Sequence, residues 1–427
     1  MNKSYKIVFN KARGTKIVAN ELTKSHQCKK ASAVVVAASI AALFGGVCAD
    51  ANAGFLATAT GGIKVTTVSS DLNISAEQVN EKYTQLFPEG MDVKKNAFTI
   101  TGWTKKGKNY FSSMDITVPS ILVKSANTGI EVNKGKGNLG NDNSGNIEFH
   151  TRLLGIKAVF ADVNLNANKI GFDVTNSLDK SATATAISLQ ASGKKTDGGT
   201  SVVLKGGEEI ELTAAVTNED SQAAKVIGTS GSGKADGVLG STLSLSADKV
   251  TMKASSAGTT DLSGAYGIYT AQKDNIEIAG KDISISAEAA KFAYGIRNDY
   301  TEALVNGADI SIGTAETEKV SILGSSTNDK AYGILAGVAI PDSSSAIPVP
   351  GRPEKTGSTV STASLTRAAA SEEPAAESSA ERGHITVLGK EINVGASAKG
   401  MASAIQLQDN NVATIGGSNS IECTYFL

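Results

Sequence analysis

The sequence has few of the residues that fill large globular cores or build metal and acid–base sites. Of its 427 residues 5% are aromatic, with one Trp, and there are three His, three Cys and seven Pro against 44 Gly. Few aromatic residues, many glycines and short runs of Val, Ile and Thr are typical of many short strands joined by small-residue turns. The composition therefore predicts an all-β protein without an aromatic-rich core.

Positive charge is also scarce beyond the N-terminal region. Residues 1–53 carry eight Lys or Arg and two Asp or Glu, which leaves 33 basic and 40 acidic residues in the rest. This mildly acidic remainder gives no electrostatic reason to expect nucleic acid as a partner. Cys28 and Cys48 lie in the N-terminal region, so Cys423 is alone in the mature chain and an intrachain disulfide is excluded there. Burial and backbone ladders must stabilise the protein instead.

The N-terminal region contains a secretory signal. An uncharged apolar run, Ala31 to Cys48, follows Lys29-Lys30 and precedes Ala51-Asn52-Ala53. Such an order predicts cleavage after Ala53, with Gly54 as the new N-terminus, and handling of residues 1–53 by the inner-membrane secretion machinery and signal peptidase. A membrane anchor is the alternative, but the run is at the lower length limit for a spanning helix and is rich in Ala and Gly. We expect no membrane span in the mature chain.

The segment before this signal is longer than an ordinary basic n-region. It alternates basic and apolar residues and contains Met1-Asn2-Lys3, Tyr5-Lys6, Asn10-Lys11-Ala12-Arg13, Glu21-Leu22 and Lys24-Ser25-His26. These residues, about the first 30, resemble the extended signal peptide region of the autotransporter (type V secretion) families. The resemblance implies an export route rather than an activity. Monomeric autotransporters and trimeric adhesins both use this leader.

Residues 54–179 are less repetitive than the residues after them, and we expect them to form an N-terminal cap and the first irregular coils. Ser75-Ala76-Glu77-Gln78 makes a capping box, and Val79, Tyr83 and Leu86 recur at helical spacing before Pro88. These signals predict one short amphipathic helix over about residues 75–87. A cap is expected because a stack of strands leaves an open end that must be covered.

Residues 180–340 contain a repeat. Ala265-Tyr266-Gly267-Ile268, Ala293-Tyr294-Gly295-Ile296 and Ala331-Tyr332-Gly333-Ile334 are copies of one motif, and 28 residues separate the first two. Two short alternating strands lie between these copies, so one period holds three strands. This content predicts a right-handed parallel β-helix, a solenoid in which Tyr266, Tyr294 and Tyr332 stack as an aromatic ladder. An antiparallel sandwich is less favoured, since it should show hairpin turns.

A long insert interrupts the later part of the repeat. Residues 341–382 hold five of the seven prolines and are otherwise rich in Ser, Ala, Glu and Thr. Without them, Tyr332 and Ser403 are 29 residues apart, close to one period. The composition predicts a disordered loop on one coil, either a plain spacer or a segment exposed for binding or proteolysis. Residues 383–427 are expected to form the last coils.

Motifs for chemistry are present only in weak form. Gly228 to Lys234 has the spacing of a phosphate-binding loop, but Ala235 stands where a hydroxyl is needed. Thr229-Ser230-Gly231-Ser232 loosely resembles the nucleophile motif of serine-protease autotransporters, without its Asp and without an evident partner in His150 or His384. We therefore predict no catalytic, cofactor-binding or metal-binding residues, and a protein that is not an enzyme.

These observations predict an exported autotransporter-like passenger that acts as an adhesin or interaction scaffold for an unidentified host or cell-surface ligand. A trimeric adhesin fragment and an exported hydrolase with an unrecognised site are the alternatives, although sustained heptads are lacking. A monomeric translocator barrel needs about a dozen strands of roughly ten residues each. Residues 383–427 are too few for it, so we expect a truncated passenger, on the cell surface or secreted if a barrel is supplied and periplasmic otherwise.

Overall fold

The computed structural model describes fifteen stretches of the chain, with side chains from residue 96 onward except for 103–110 and a few residues beside the gaps. These stretches are residues 5–10, 15–20, 55–58, 62–65, 71–74, 85–86, 96–105, 108–177, 183–191, 199–231, 240–270, 274–299, 308–337, 383–407 and 411–426. All regular elements within them are β-strands, which confirms the predicted all-β class.

The strands increase in length after the N-terminal region. The early ones are β1 (Tyr5–Asn10), β2 (Thr15–Asn20), β3 (Phe55–Thr58), β4 (Gly62–Val65), β5 (Asp71–Ile74), β6 (Gln85–Leu86), β7 (Asn96–Thr101), β8 (Trp103–Lys105), β9 (Lys108–Tyr110) and β10 (Ser112–Ile116). The later ones are β11 (Ser120–Gly140), β12 (Asn146–Asn176), β13 (Ala184–Ala191), β14 (Thr200–Val216), β15 (Ala223–Gly231), β16 (Ser241–Ser246), β17 (Lys249–Ser256), β18 (Gly264–Thr270), β19 (Asn275–Ala279), β20 (Asp282–Ala289), β21 (Phe292–Asn298), β22 (Asp309–Ile312), β23 (Lys319–Ser326), β24 (Lys330–Ala336), β25 (His384–Ala398), β26 (Met401–Leu407) and β27 (Val412–Phe426).

Parallel pairing links these strands into three ladders. Between residues 241 and 337, ladder A consists of β16, β19 and β22, ladder B of β17, β20 and β23, and ladder C of β18, β21 and β24. Each strand there pairs with the strand three places later in the chain. The longer strands β11, β12, β14, β25 and β27 run through two or three ladders. Antiparallel pairing joins β1 to β2, β3 to β4 and β8 to β9.

Ladder pairing continues across the two regions for which the sequence predicts exceptions. Asp309 pairs with His384 and Tyr332 with Ser403, so the strands before and after the insert are direct neighbours. The insert itself, residues 341–382, lies outside the described residues. Of the helix predicted over residues 75–87, residues 75–84 also lie outside them, but Gln85–Leu86 form a strand that pairs with Ser120 and Ile121. The prediction is wrong at those two residues, because they begin ladder B.

Columns of equivalent side chains build the core. One position of ladder C holds an isoleucine in eight consecutive strands of that ladder, from β11 to β26. They are Ile130, Ile156, Ile187, Ile227, Ile268, Ile296, Ile334 and Ile405, and all except the half-buried Ile405 are buried. A β-branched side chain suits such a column because it packs well on the pleated surface of a strand.

The residue before this isoleucine is a glycine in several strands, because large side chains of ladder B point at it. A Cβ on Gly295 would lie 2.7 Å from Cγ2 of Ile322 and 2.6 Å from the carbonyl oxygen of Gly333. On Gly155 it would lie 2.6 Å from Cδ1 of Phe172. These distances are shorter than a carbon contact allows, so each glycine makes room for one large apolar side chain.

Candidate functional site

The three tyrosines predicted to form an aromatic ladder lie side by side on ladder C. Tyr266 pairs with Tyr294, and Tyr294 pairs with Tyr332. Their rings are stacked, with centroids 5.0 Å apart and planes at 9° in the first pair, and 5.3 Å apart and at 5° in the second. The stack follows from the spacing of the strands, since equivalent residues of neighbouring strands lie about 4.8 Å apart.

This stack lies outside the central core. The isoleucine column belongs to the central cluster of buried side chains, whereas the tyrosines form a second cluster with Ala223 and Leu335. Tyr269 and Phe292 are partly buried against it. The tyrosine rings are only 5–8% exposed, so this outer cluster is tightly packed. We call it the tyrosine cluster.

A lysine occupies the tyrosine position in the preceding strand. Lys225 pairs with Tyr266, and its Nζ lies 4.0 Å from the ring centroid of Tyr269 and 5.6 Å from that of Tyr266. Both distances are within the range of a cation–π interaction. Burial, and then the positive charge of Arg297, lower the pKa of Lys225 below its usual value, although Asp299 opposes this shift.

An arginine crosses the same rings from the other side of the cluster. The Cζ of Arg297 lies 4.9 Å from the ring centroid of Tyr294, 5.7 Å from that of Tyr266 and 5.8 Å from that of Tyr269. Its Nε donates to Oδ1 of Asp299 at 2.7 Å. Burial disfavours the charge of Arg297, but attraction and hydrogen bonding to Asp299 outweigh it and raise the pKa.

The tyrosine hydroxyls are held in their neutral form. Burial, as the largest cause, raises the pKa of Tyr269 to about 12 and also raises those of Tyr266 and Tyr294. The hydroxyl of Tyr332 donates to Sδ of Met401 at 3.2 Å. The cluster therefore presents two cations, one carboxylate and neutral phenols, an arrangement suited to holding an anionic group rather than to proton transfer at neutral pH.

Sequence reasoning identified the three tyrosines but missed Lys225, Tyr269, Arg297 and Asp299. Ala224-Lys225-Val226-Ile227 is a further copy of the motif in which only Ala and Ile are kept. Aligning the copies on their isoleucine would have placed Lys225 beside Tyr266. It would also have put Tyr269 and Arg297 in one column, as the residue after the isoleucine.

The remaining predicted residues contribute no second site. Ala51, Ala53 and Gly54 lie outside the described residues. His150 lies on ladder B, with Nδ1 3.4 Å from Oδ2 of Asp173, and both side chains are about half exposed. Within the described parts of the chain, no three His, Cys, Asp or Glu side chains are close enough together to hold a metal ion.

A groove of about 370 Å³ crosses the outer surface of ladder B, where Gly171 leaves a gap in a row of larger side chains. Four carboxylates line it, and each already has a partner. Glu148 accepts from Asn146, Asp173 pairs with His150, and Glu209 and Glu211 pair with Lys249 and Lys253. These pairs explain the groove as surface structure without a ligand.

Comparison with known proteins identifies the export route. Residues 1–49 match the family model of the Extended Signal Peptide of Type V secretion system. No curated protein and no solved structure matches the chain. The match confirms the resemblance seen in the leader, and the chain is an exported protein of the autotransporter type. In the described residues, no helix is long and apolar enough to cross a membrane.

Proposed function

We propose that the mature chain is an autotransporter-type passenger folded as a right-handed parallel β-helix, and that it acts as an adhesin rather than as an enzyme. The observation that carries the proposal is the constant order of ladders A, B and C behind a type V leader. A chain that visits three ladders in constant order and pairs in parallel with its previous pass winds as a solenoid. Right-handed winding is the usual hand of parallel crossovers.

A solenoid of this kind supports an adhesive role because its repeats form a long, continuous outer surface. The tyrosine cluster adds aromatic and cationic side chains to that surface, and Tyr and Arg are enriched where proteins bind their partners. Display on the cell surface, or release from it, is the destination consistent with such a role.

Adhesion can be measured directly with the purified mature chain, residues 54–427. Beads coated with it are counted on epithelial monolayers and on lawns of bacteria that lack the protein, and beads coated with heat-denatured chain are the matched control. We expect the folded chain to attach to at least one of these surfaces well above the control. Equal counts for folded and denatured chain on both surfaces would refute the adhesin.

The fold and the processing have separate tests. Circular dichroism of the mature chain should give a β spectrum without a helical component, whereas the stalk of a trimeric adhesin would give a helical one. Mass spectrometry of the exported protein should find Gly54 at its N-terminus. A mature form that still contains Lys29-Lys30 would contradict the cleavage site.

A further inference from the structure

We propose that Lys225 and Arg297 form an anion-binding site at the tyrosine cluster, and that it takes a sulfate or carboxylate group of an acidic polysaccharide. This site would supply the ligand chemistry of the adhesive surface, and as such it rests on the proposed function. Three features of the molecule and its ligand support it: the state of Lys225, the charge balance of the cluster, and the repeated anionic groups of a polymer.

Lys225 is a largely buried ammonium group without an acceptor. Its contacts with the described residues are the faces of Tyr266 and Tyr269, and it has neither a hydrogen bond nor an ion pair there. An ammonium group has three N–H donors, and leaving donors of a charged group unbonded in a partly buried place is unfavourable. Other lysines on the outer surface, such as Lys249 and Lys253 on ladder B, lie within 3 Å of a glutamate.

The cluster as a whole carries excess positive charge. Lys225 and Arg297 approach the same two rings, and the single carboxylate, Asp299, is bonded to Arg297. The lowered pKa of Lys225 is in keeping with this imbalance, because Arg297 contributes to it. An oxyanion beside Lys225 would accept its free donors and reduce the repulsion between the two cations.

The ligand is expected to be a polymer for an energetic reason. One partly exposed cation holds a free ion weakly in water, because solvent and salt screen the attraction. A polysaccharide presents the same anionic group many times and so raises its local concentration at the site. Tyr269, which is partly exposed, offers an aromatic surface beside the cation for the apolar face of a sugar.

The test measures the affinity of the mature chain for heparin, which is sulfated, for polygalacturonate, which is carboxylated, and for neutral dextran. We expect binding to at least one acidic polymer and none to dextran. Lys225→Met should weaken binding about tenfold or more, as expected for the loss of a charged hydrogen bond. Lys225→Arg, which keeps the charge, should restore most of it. Lys253→Met removes an exposed lysine of ladder B and is the matched control.

Three results would overturn the proposal: absence of binding to both acidic polymers, equal weakening by Lys225→Met and Lys253→Met, or inorganic sulfate binding as tightly as the polymers. Thermal unfolding of each variant verifies that it is folded. Because the polymers are soluble, this measurement is independent of the bead assay. Polymer binding without bead attachment would refute the adhesin alone, and attachment that survives Lys225→Met would refute the role of this site alone.

Discussion

Two stacks of aromatic rings, one inside the ladders and one outside, have almost the same geometry. The rings of Phe149 and Phe172 lie 4.9 Å apart with planes at 3°, and those of Tyr266 and Tyr294 lie 5.0 Å apart with planes at 9°. Both stacks arise because equivalent residues of neighbouring strands are held at the strand spacing. The surroundings differ. Phe149 and Phe172 are 1% exposed within the central core, whereas the tyrosines form a separate outer cluster.

The difference shows that position relative to the core decides what a stack can do. The phenylalanine rings fill space that Gly129 and Gly155 leave open on the facing ladder, and their environment is apolar. The outer tyrosines bring Lys225 and Arg297 into contact with their ring faces. We therefore assign the inner stack to stability and the outer one to recognition.

The largest expected effect is at the inner stack. Phe172→Ala should destabilise the protein by about 3–5 kcal/mol, because it removes a fully buried ring and leaves a cavity that Gly155 cannot fill. Tyr294→Ala should have a smaller effect, since the space it leaves is at the surface and water can enter it. Denaturant unfolding measures both. A loss at Tyr294 equal to or greater than that at Phe172 would contradict the assignment.

The next largest effect tests the glycine positions that face the core. Gly295→Ala should destabilise the protein by about 1–3 kcal/mol through overpacking against Ile322 and the backbone of Gly333. Gly171→Ala on the outer surface is the matched control, because a Cβ there would lie 3.6 Å from the nearest atom, in Glu148. We expect this control to change stability by less than about 0.5 kcal/mol. Similar losses in the two variants would mean that the fit against ladder B is unimportant.

The sequence was sufficient for the all-β class and for the contact between Tyr266, Tyr294 and Tyr332, because identical residues recur there at a fixed period. It was insufficient for the full isoleucine column. Intervals between its members vary from 26 residues, between Ile130 and Ile156, to 71, between Ile334 and Ile405. Loops of different length at the corners leave ladder pairing intact, so the period disappears from the sequence while the column remains.

Two misses have local physical causes. Gln85–Leu86 fits a helical pattern, but pairing with Ser120 and Ile121 extends ladder B, and tertiary pairing overrides the weak preference of a short segment. Lys225 was missed because an outward position of a strand accepts many residue types. Its role depends on Tyr269 and Arg297, which only the parallel register brings together.

A smaller effect distinguishes the two stacks by pH, since only the outer one titrates. The pKa of Tyr269 is raised to about 12 in the folded protein, against about 10 when unfolded. The unfolded chain therefore loses this proton first, so the stabilisation is complete below pH 10 and is lost as the pH rises from 10 to 12. Tyr294→Phe should reduce the alkaline loss of stability, measured by denaturant unfolding at pH 9 and 11. Tyr425→Phe, at a tyrosine that is 64% exposed, should leave it unchanged.

The smallest expected effect is at Lys225, where recognition and stability separate most clearly. The cation–π contact with Tyr269 favours the folded state by about 0.5–2 kcal/mol. Burial and repulsion by Arg297 oppose it, and the lowered pKa of Lys225 means that folding disfavours its charge at neutral pH. Methionine keeps an unbranched apolar stem against the ring and removes the charge. Lys225→Met should therefore change the free energy of unfolding at pH 7 by no more than about 0.5 kcal/mol in either direction. A loss of several kcal/mol would make Lys225 a structural residue of the tyrosine cluster, and the outer stack would then serve stability as the inner one does.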